Sequence, residues 1–354
     1  MASVLQSLAL PSASQLVRAT PCRQRQVSVA RGVVGSPRVP GSVRFGIAAA
    51  PSSWTLGGVL HSGSSRGFRV VPNTASVSFT TAPPSAPSPP PAPAGDALPP
   101  PAVFNVACAA AEMRAKQDPS TTLALGFSAG LLIGVGALLM TCVGGASPGL
   151  ATANPGLSAY LKGAIGLPAG LTLVILTGGE LFTGNVFIML SGLFSKRVSA
   201  AALMRNWSLS FVGNFLGCLA LAYLAVGANT AAAPAAKAAA MGLAAAKCAL
   251  PFSVAFIKGI LCNWLVCLAI WGTMASTSVA GKILAIFWPI SMFVALGFEH
   301  SVANMFIIPH GMLCGAKVTV GQMMMNNILP VTLGNILGAA VFASGLMYWS
   351  YGRK

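Results

Sequence analysis

From about residue 119 to its end the chain is a series of apolar runs separated by short polar breaks. Thr122–Cys142, Trp207–Ala228, Phe252–Trp271 and Ile328–Tyr351 are each long enough to cross a bilayer, which takes about 20 apolar residues. Two other runs are interrupted. Gly163–Gly179 breaks at Glu180 and resumes at Val186–Phe194, and Ile283–Phe298 breaks at Glu299–Asn304 and resumes to about Cys314. The pattern predicts an all-α membrane protein with six transmembrane helices, two of them broken, and both termini on one side. Loop charges give the sense. Arg114, Lys116, Lys196, Arg197, Arg205, Lys282, Arg353 and Lys354 fall on the side of the termini, against Lys162, Lys237, Lys247, Lys258 and Lys317 on the other. Retention of basic loops inside places the termini in the stroma or cytoplasm.

The polar positions repeat. Asn185 follows Glu180 by the same offset as Asn304 follows Glu299. Asn206 leads to Gly213-Asn214 and Gly217, and Asn327 leads at identical offsets to Gly334-Asn335 and Gly338. Each half holds three spans, an odd number, so the copies run in opposite senses, as inverted-topology repeats. These glycines, with Gly130, Gly134 and Gly136, suit close helix packing in lipid.

From Pro119 onward the only acids are Glu180 and Glu299, at matching positions. An acidic side chain at a helix centre costs roughly 2.5–3.5 kcal/mol on insertion scales. Gly178-Gly179 precedes the first and Gly297 stands two residues before the second, so both sit where a helix breaks. A broken helix frees backbone groups that lipid cannot satisfy. Glu180 and Glu299, with Asn185 and Asn304, are therefore assigned to the scaffold of the broken helices, the carboxylates accepting from freed N–H groups. His300 has no counterpart, because Leu181 takes the matching place. The function is expected at that asymmetric residue. His310, nearer the end of its run, receives no role.

Composition divides the rest. The chain has 354 residues, 55% hydrophobic and 7% charged, with a mean hydropathy of +0.75; a soluble domain carries about 25% charged residues. The net charge of +16 owes much to Arg scattered through the first 95 residues, which contain no acid. Such scatter is not a nucleic-acid face. Residues 1–80, rich in Ser, Ala, Val, Pro and Arg, read as a transit peptide. Their length and their Ser, Pro and Val content favour a chloroplast over a mitochondrion; a disordered tail on a plasma-membrane protein is the alternative. Residues 81–118 read as a Pro-rich linker and a short surface helix, Phe104 to Lys116, and residues 119–354 as the membrane domain. The eight Cys form no C-x-x-C pair and no zinc-like spacing, so no disulfide, metal or cofactor is expected.

Three stretches resemble one family. Ile175-Leu-Thr-Gly-Gly-Glu-Leu-Phe-Thr-Gly184 and Gly259-Ile-Leu-Cys-Asn-Trp-Leu-Val-Cys-Leu-Ala269 resemble the two signatures of formate/nitrite transporters, and Glu299-His-Ser-Val-Ala-Asn-Met305 resembles their central His segment. The long N-terminal extension is similar to an algal plastid branch. The resemblance implies an aquaporin-like protomer, a homopentamer in membrane lipid, and one pore per protomer for nitrite, formate or bicarbonate. It implies that His300 is the central pore histidine, with Thr183 and Asn263 as polar neighbours and Lys247 as the cation near the mouth. Phe293 matches an aromatic constriction, and Leu171 an apolar gate in the loop interrupting the second helix. Leu167 stands where some members carry a second constricting Phe, which implies a wider neck.

Moving an anion through an apolar constriction requires its desolvation, and the neutral acid crosses more readily. Lys247 and exposed helix N-termini would concentrate anions; Lys258 reads as an interfacial snorkelling residue. A histidine, titrating near pH 6.5 when unperturbed, could stabilise the anion as imidazolium or through a proton taken in passing. Burial disfavours the charged ring and Glu299 favours it, so the residues leave its state open. Nitrite transport is the leading reading and a bicarbonate channel the alternative. Three other classes compare less well. A water or glycerol channel would carry two Asn-Pro-Ala boxes, against one Asn154-Pro155 here. An enzyme would need a nucleophile–base set or metal cluster. A non-transporting structural protein is the plainest alternative.

Overall fold

The structure, a computed structural model, describes residues 97–353. The transit-peptide reading of 1–80 and the linker up to residue 96 lie outside the described residues. Within them the chain is helical, with one isolated bridge, Ala97 to Ser276, and no strand. Helix α1 spans Pro100–Lys116 and α2 spans Pro119–Gly145. Then come α3 (Pro148–Ala153), α4 (Pro155–Ile165), α5 (Leu167–Thr177), α6 (Phe182–Phe194), α7 (Ala200–Gly227), α8 (Pro234–Cys248), α9 (Phe252–Ala275), α10 (Val279–Ala295) and α11 (Ser301–Leu313). The last helical stretch, α12, runs Val320–Gly352 and contains three wide π-type turns.

Local chemistry accounts for many of these ends. Proline, whose missing N–H costs nothing in a first turn, opens α2, α3, α4 and α8. The Asp118 carboxylate caps α2 through the amides of Ser120 and Thr121, and Ser199 and Ser278 cap α7 and α10. A capping box of Thr319 and Gln322 starts α12.

Five stretches are long and apolar enough to cross a membrane: α2, α4 with α5 (Pro155–Thr177), α7, α9 and α12. Helices α6, α10 and α11 are apolar but shorter. At 1.5 Å per residue the 13 residues of α6 or α11 reach about 20 Å, short of a hydrocarbon core of about 30 Å.

The breaks differ from the sequence expectation. α6 resumes at Phe182 rather than Val186, and α11 at Ser301 rather than beyond Asn304. Gly178 (φ +73°) and Gly297 (φ +67°) take the left-handed turn after α5 and α10, a conformation that costs a glycine little. Only a few residues are then needed before the next helix begins. A further break at Gly166 separates α4 from α5. Leu167 and Leu171 consequently lie on α5, not in a loop, since Pro168 can start a helix there and Gly178 ends it. Helix α8 was not expected from its hydropathy. It is an Ala-rich segment, and alanine has the highest helix propensity.

Helices α2 and α7 pack tightly together, as do α9 and α12. A Cβ at Gly217 would come within 2.1 Å of Phe127 O on α2, and one at Gly338 within 2.3 Å of Ile260 O on α9, both far inside van der Waals contact. Backbone cannot retreat as a flexible side chain can. Gly217→Ala is therefore expected to destabilise the folded protein by about 1–3 kcal/mol, read as a lower unfolding temperature in detergent. An unchanged temperature would mean the helices separate freely at this contact.

Candidate functional site

Two matching sets of hydrogen bonds hold the two helix breaks. After α5, Asn214 of α7 donates through Nδ2 to Gly126 O (2.8 Å) and Glu180 O (2.9 Å), and its Oδ1 accepts from Phe182 N (2.8 Å). After α10, Asn335 of α12 donates to Gly259 O (2.8 Å) and Glu299 O (3.0 Å) and accepts from Ser301 N (2.9 Å). An amide suits this task because one group supplies two donors and an acceptor. Two further amides at the breaks reach neighbouring backbone: Glu180 N donates to Leu125 O and Glu299 N to Lys258 O.

The carboxylates take other partners, which corrects the expectation that Glu180 and Glu299 accept from freed backbone N–H groups. Glu180 Oε2 accepts from Asn185 (2.6 Å) and Asn206 (3.2 Å), and Oε1 pairs with Arg114 Nε (3.2 Å). Glu299 Oε2 accepts from Asn304 (2.7 Å) and Asn327 (3.2 Å), while Lys247 Nζ bridges both its oxygens at 3.0 and 3.1 Å. The backbone needs a neutral group that both donates and accepts. A buried carboxylate needs a cation, and each one has it here.

Arg114, on α1, was not singled out in the sequence. The signal was present: two acids at repeat-related positions in an apolar domain each require a cation, yet Lys247 was expected to draw anions to the mouth rather than to pair with Glu299. The roles of Asn214 and Asn335 were legible in the same way, from Gly-Asn pairs at identical offsets.

His300 sits at the N-cap of α11, buried to 4% exposure. Its Nδ1 accepts from Ala303 N (3.0 Å), and its Nε2 lies 2.9 Å from Thr183 Oγ1. A nitrogen that accepts cannot carry the hydrogen, so in the neutral ring the hydrogen is on Nε2, donating to Thr183. An imidazolium would forfeit the Ala303 bond. Phe293 stacks on the ring, with centroids 5.7 Å apart and planes 16° from parallel. Asn263 does not bond His300. It is fully buried behind Thr183, donating to Thr183 O (3.2 Å) and Asn335 O (2.8 Å).

Three cavities relate to this centre. The largest, about 450 Å³, is lined by Lys162, Lys247, Lys258, Leu167, Phe293, Glu299 and His300, among others. Lys258, read as a snorkelling residue, thus faces a vestibule. Lys247 is tied to Glu299, whereas Lys162 and Lys258 have no ion pair among the described residues. A second, of about 290 Å³, is lined by Arg114, Lys282, Thr273, Asn185 and Leu181. Between them lies a chamber of about 10 Å³, walled by Ile133, Leu167, Leu171, Leu181, Val266, Ile290, Phe293 and His300. Leu167, Phe293 and His300 are common to the large vestibule and the chamber, and Leu181 to the chamber and the smaller vestibule. Leu181, the counterpart of His300 in the other half, was not expected to line the path; nor were Ile133, Val266 and Ile290.

Among the described residues no group of His, Cys, Asp or Glu could hold a metal ion, and seven cysteines, Cys108 to Cys314, are free.

Residues 101–350 match the sequence model described as Formate/nitrite transporter. The "Probable formate transporter" of Methanothermobacter thermautotrophicus is 43% identical over 275 residues, covering 73% of this chain and 98% of its own. The Escherichia coli (strain K12) protein named nitrite transporter NirC is 36% identical over 224 residues, covering 62% and 80%. A solved structure titled "Pentameric formate channel with formate bound" superposes with a TM-score of 0.59 at 32% identity, covering 67% of this chain and 98% of that one.

Proposed function

The chain belongs to the formate/nitrite transporter family, and from that premise we propose that its membrane domain conducts small monovalent anions, nitrite ahead of bicarbonate or formate, on a path past His300. These relatives are transporters and channels rather than enzymes. The domain crosses the membrane six times as two inverted three-helix repeats and assembles as a homopentamer, with one pore in each protomer. The composition of the first 80 residues supports a plastid membrane, the inner envelope, as its location.

The observation that carries this reading is the sequence of cavities. Two vestibules, each bearing cations, share walls with one narrow apolar chamber, and His300 forms part of that wall. Lys162 and Lys258 raise the local anion concentration at the larger mouth. The Glu180 and Glu299 systems hold the broken helices rather than the anion. At the neck the anion sheds water against Leu167, Leu171 and Phe293, where its charge is poorly solvated. The one N–H of the neutral His300 ring is given to the buried Thr183 hydroxyl and must leave it to reach an anion there; protonation of either the ring or the anion lowers the desolvation cost further. Asn263 positions Thr183 from behind.

The test is nitrite, formate and bicarbonate flux into liposomes containing the purified protein, against protein-free liposomes. Flux of none of the three would favour a structural role. Leu167→Phe adds a ring at the neck of the chamber, and pore diameter is one source of selectivity. It is expected to lower bicarbonate flux several-fold more than nitrite flux, measured by competition. Equal losses would show that Leu167 is not a size filter.

A further inference from the structure

A separate pocket of about 420 Å³ lies between α1, the loop joining α6 to α7, and the end of α12. It shares no lining residue with either vestibule or the chamber. Its lining combines the polar and cationic Ser195, Lys196 and Arg197 with the aromatic Phe104, Phe194, Tyr348 and Tyr351. The tyrosines add hydroxyls that have no hydrogen-bond partner among the described residues.

Lys196 is the informative residue. It follows α6 in a left-handed conformation, φ +58°, which a helix-terminating glycine usually occupies. Its own N–H donates to Leu193 O (2.9 Å) and that of Arg197 to Gly192 O (2.8 Å), so the turn is the ordinary helix-ending one. A lysine there carries backbone strain that a glycine would not, and gains nothing from the turn in return. Its side chain has no ion pair among the described residues. The Arg197 guanidinium is loosely engaged, with Nη1 3.6 Å from Glu112 Oε1 and Nη2 3.4 Å from Asn105 Oδ1, both on exposed groups.

The pocket also lies at the end of a membrane-crossing helix. Nearby Trp349 is 68% exposed, with the Arg353 guanidinium 3.6 Å over its ring. Exposed Trp with a cation alongside is the pattern of a span at the headgroup layer. Cations and hydroxyls lining one pocket with aromatic rings fit an amphiphile, whose anionic head binds the first while its chains follow the second.

We propose that this pocket binds the phosphate headgroup of an anionic lipid, with Lys196 and Arg197 as the charged ligands and the Ser195, Tyr348 and Tyr351 hydroxyls completing the site. The proposal does not depend on the conduction path. A phosphate could also come from solution, so the experiment separates the two sources. The full chain in neutral detergent is unfolded thermally with phosphatidylglycerol, with phosphatidylcholine, or with inorganic phosphate. Phosphatidylglycerol is expected to raise the midpoint by several degrees more than phosphatidylcholine, and inorganic phosphate to leave it unchanged, because a ligand of the folded state stabilises it. Lys196→Gly removes the strained conformation, so the lipid-free midpoint is held or raised, yet more than half of the phosphatidylglycerol increment is lost. Arg197→Gln loses a comparable share. Full retention of the increment in Lys196→Gly would overturn the proposal. So would equal increments from the two lipids, or protection by inorganic phosphate equal to that by phosphatidylglycerol.

Discussion

Replacing Glu299 by alanine is expected to destabilise the folded protein by about 3–5 kcal/mol, the usual effect of removing one member of a buried ion pair. Three groups lose their partner at once: Lys247 Nζ, Asn304 Nδ2 and Asn327 Nδ2. The asparagines keep other bonds, Asn304 to Asn327 Oδ1 and Asn327 to Lys247 O, but the Lys247 ammonium has no second acidic partner. With its side chain 15% exposed, it is left charged in a vestibule wall. Thermal unfolding in detergent reads the effect. Glu299→Ala with Lys247→Met should recover a large part of the loss, because the uncompensated charge goes too. A single Glu299→Ala protein that unfolds at the wild-type temperature would remove the carboxylate from the scaffold. The related pair is more open, with the Arg114 side chain 21% exposed, so Arg114→Ala should cost less than Lys247→Ala.

The second large effect is on transport. His300 does two jobs that two variants can separate. Alanine removes both the α11 cap and the ring, whereas asparagine is itself a strong N-cap residue and keeps the first. His300→Asn should therefore unfold near the wild-type temperature, while His300→Ala loses about 1 kcal/mol. Both should lower nitrite flux about tenfold or more, the equivalent of one lost interaction of about 1.4 kcal/mol at the neck. The ratio of fluxes at pH 6 and pH 8, corrected for protein-free liposomes, tests the proton. Those values straddle an unperturbed imidazole pKa of about 6.5. A wild-type ratio above one should fall toward one in His300→Asn. If the variant keeps the ratio, the ring takes no part in proton-dependent passage.

Much of the site could be read before the structure, because membrane chemistry narrows what a polar residue can be doing. Two acids in a long apolar domain must be neutralised, and their equal spacing to Asn marked both breaks. His300 stood out as the member without a counterpart. What escaped was any role spread over distant segments. Arg114 is far from Glu180 in sequence and lies before the first span, so hydropathy treated it as a loop charge. The chamber walls Ile133, Leu181, Val266 and Ile290 look like any other lipid-compatible residues, and no pattern along one helix says which apolar face meets a cavity.

Helix breaks show the same division. Gly178 and Gly297 located them, since a left-handed turn favours glycine wherever it occurs. Hydropathy could not say how soon each helix resumes, because Phe182 and Ser301 start new helices only once an amide from another span accepts from their N–H groups. Local sequence thus settled the membrane class, the two helix breaks beside the acids and the residues whose burial needs explanation. These follow from burial cost and backbone geometry, which act residue by residue. The tertiary structure decided which partners meet those costs: Arg114 and Lys247 for the acids, Asn214 and Asn335 for the freed backbone, and Thr183 for the His300 ring. Those bonds join segments far apart in the chain, and only packing brings them within 3 Å or so of one another.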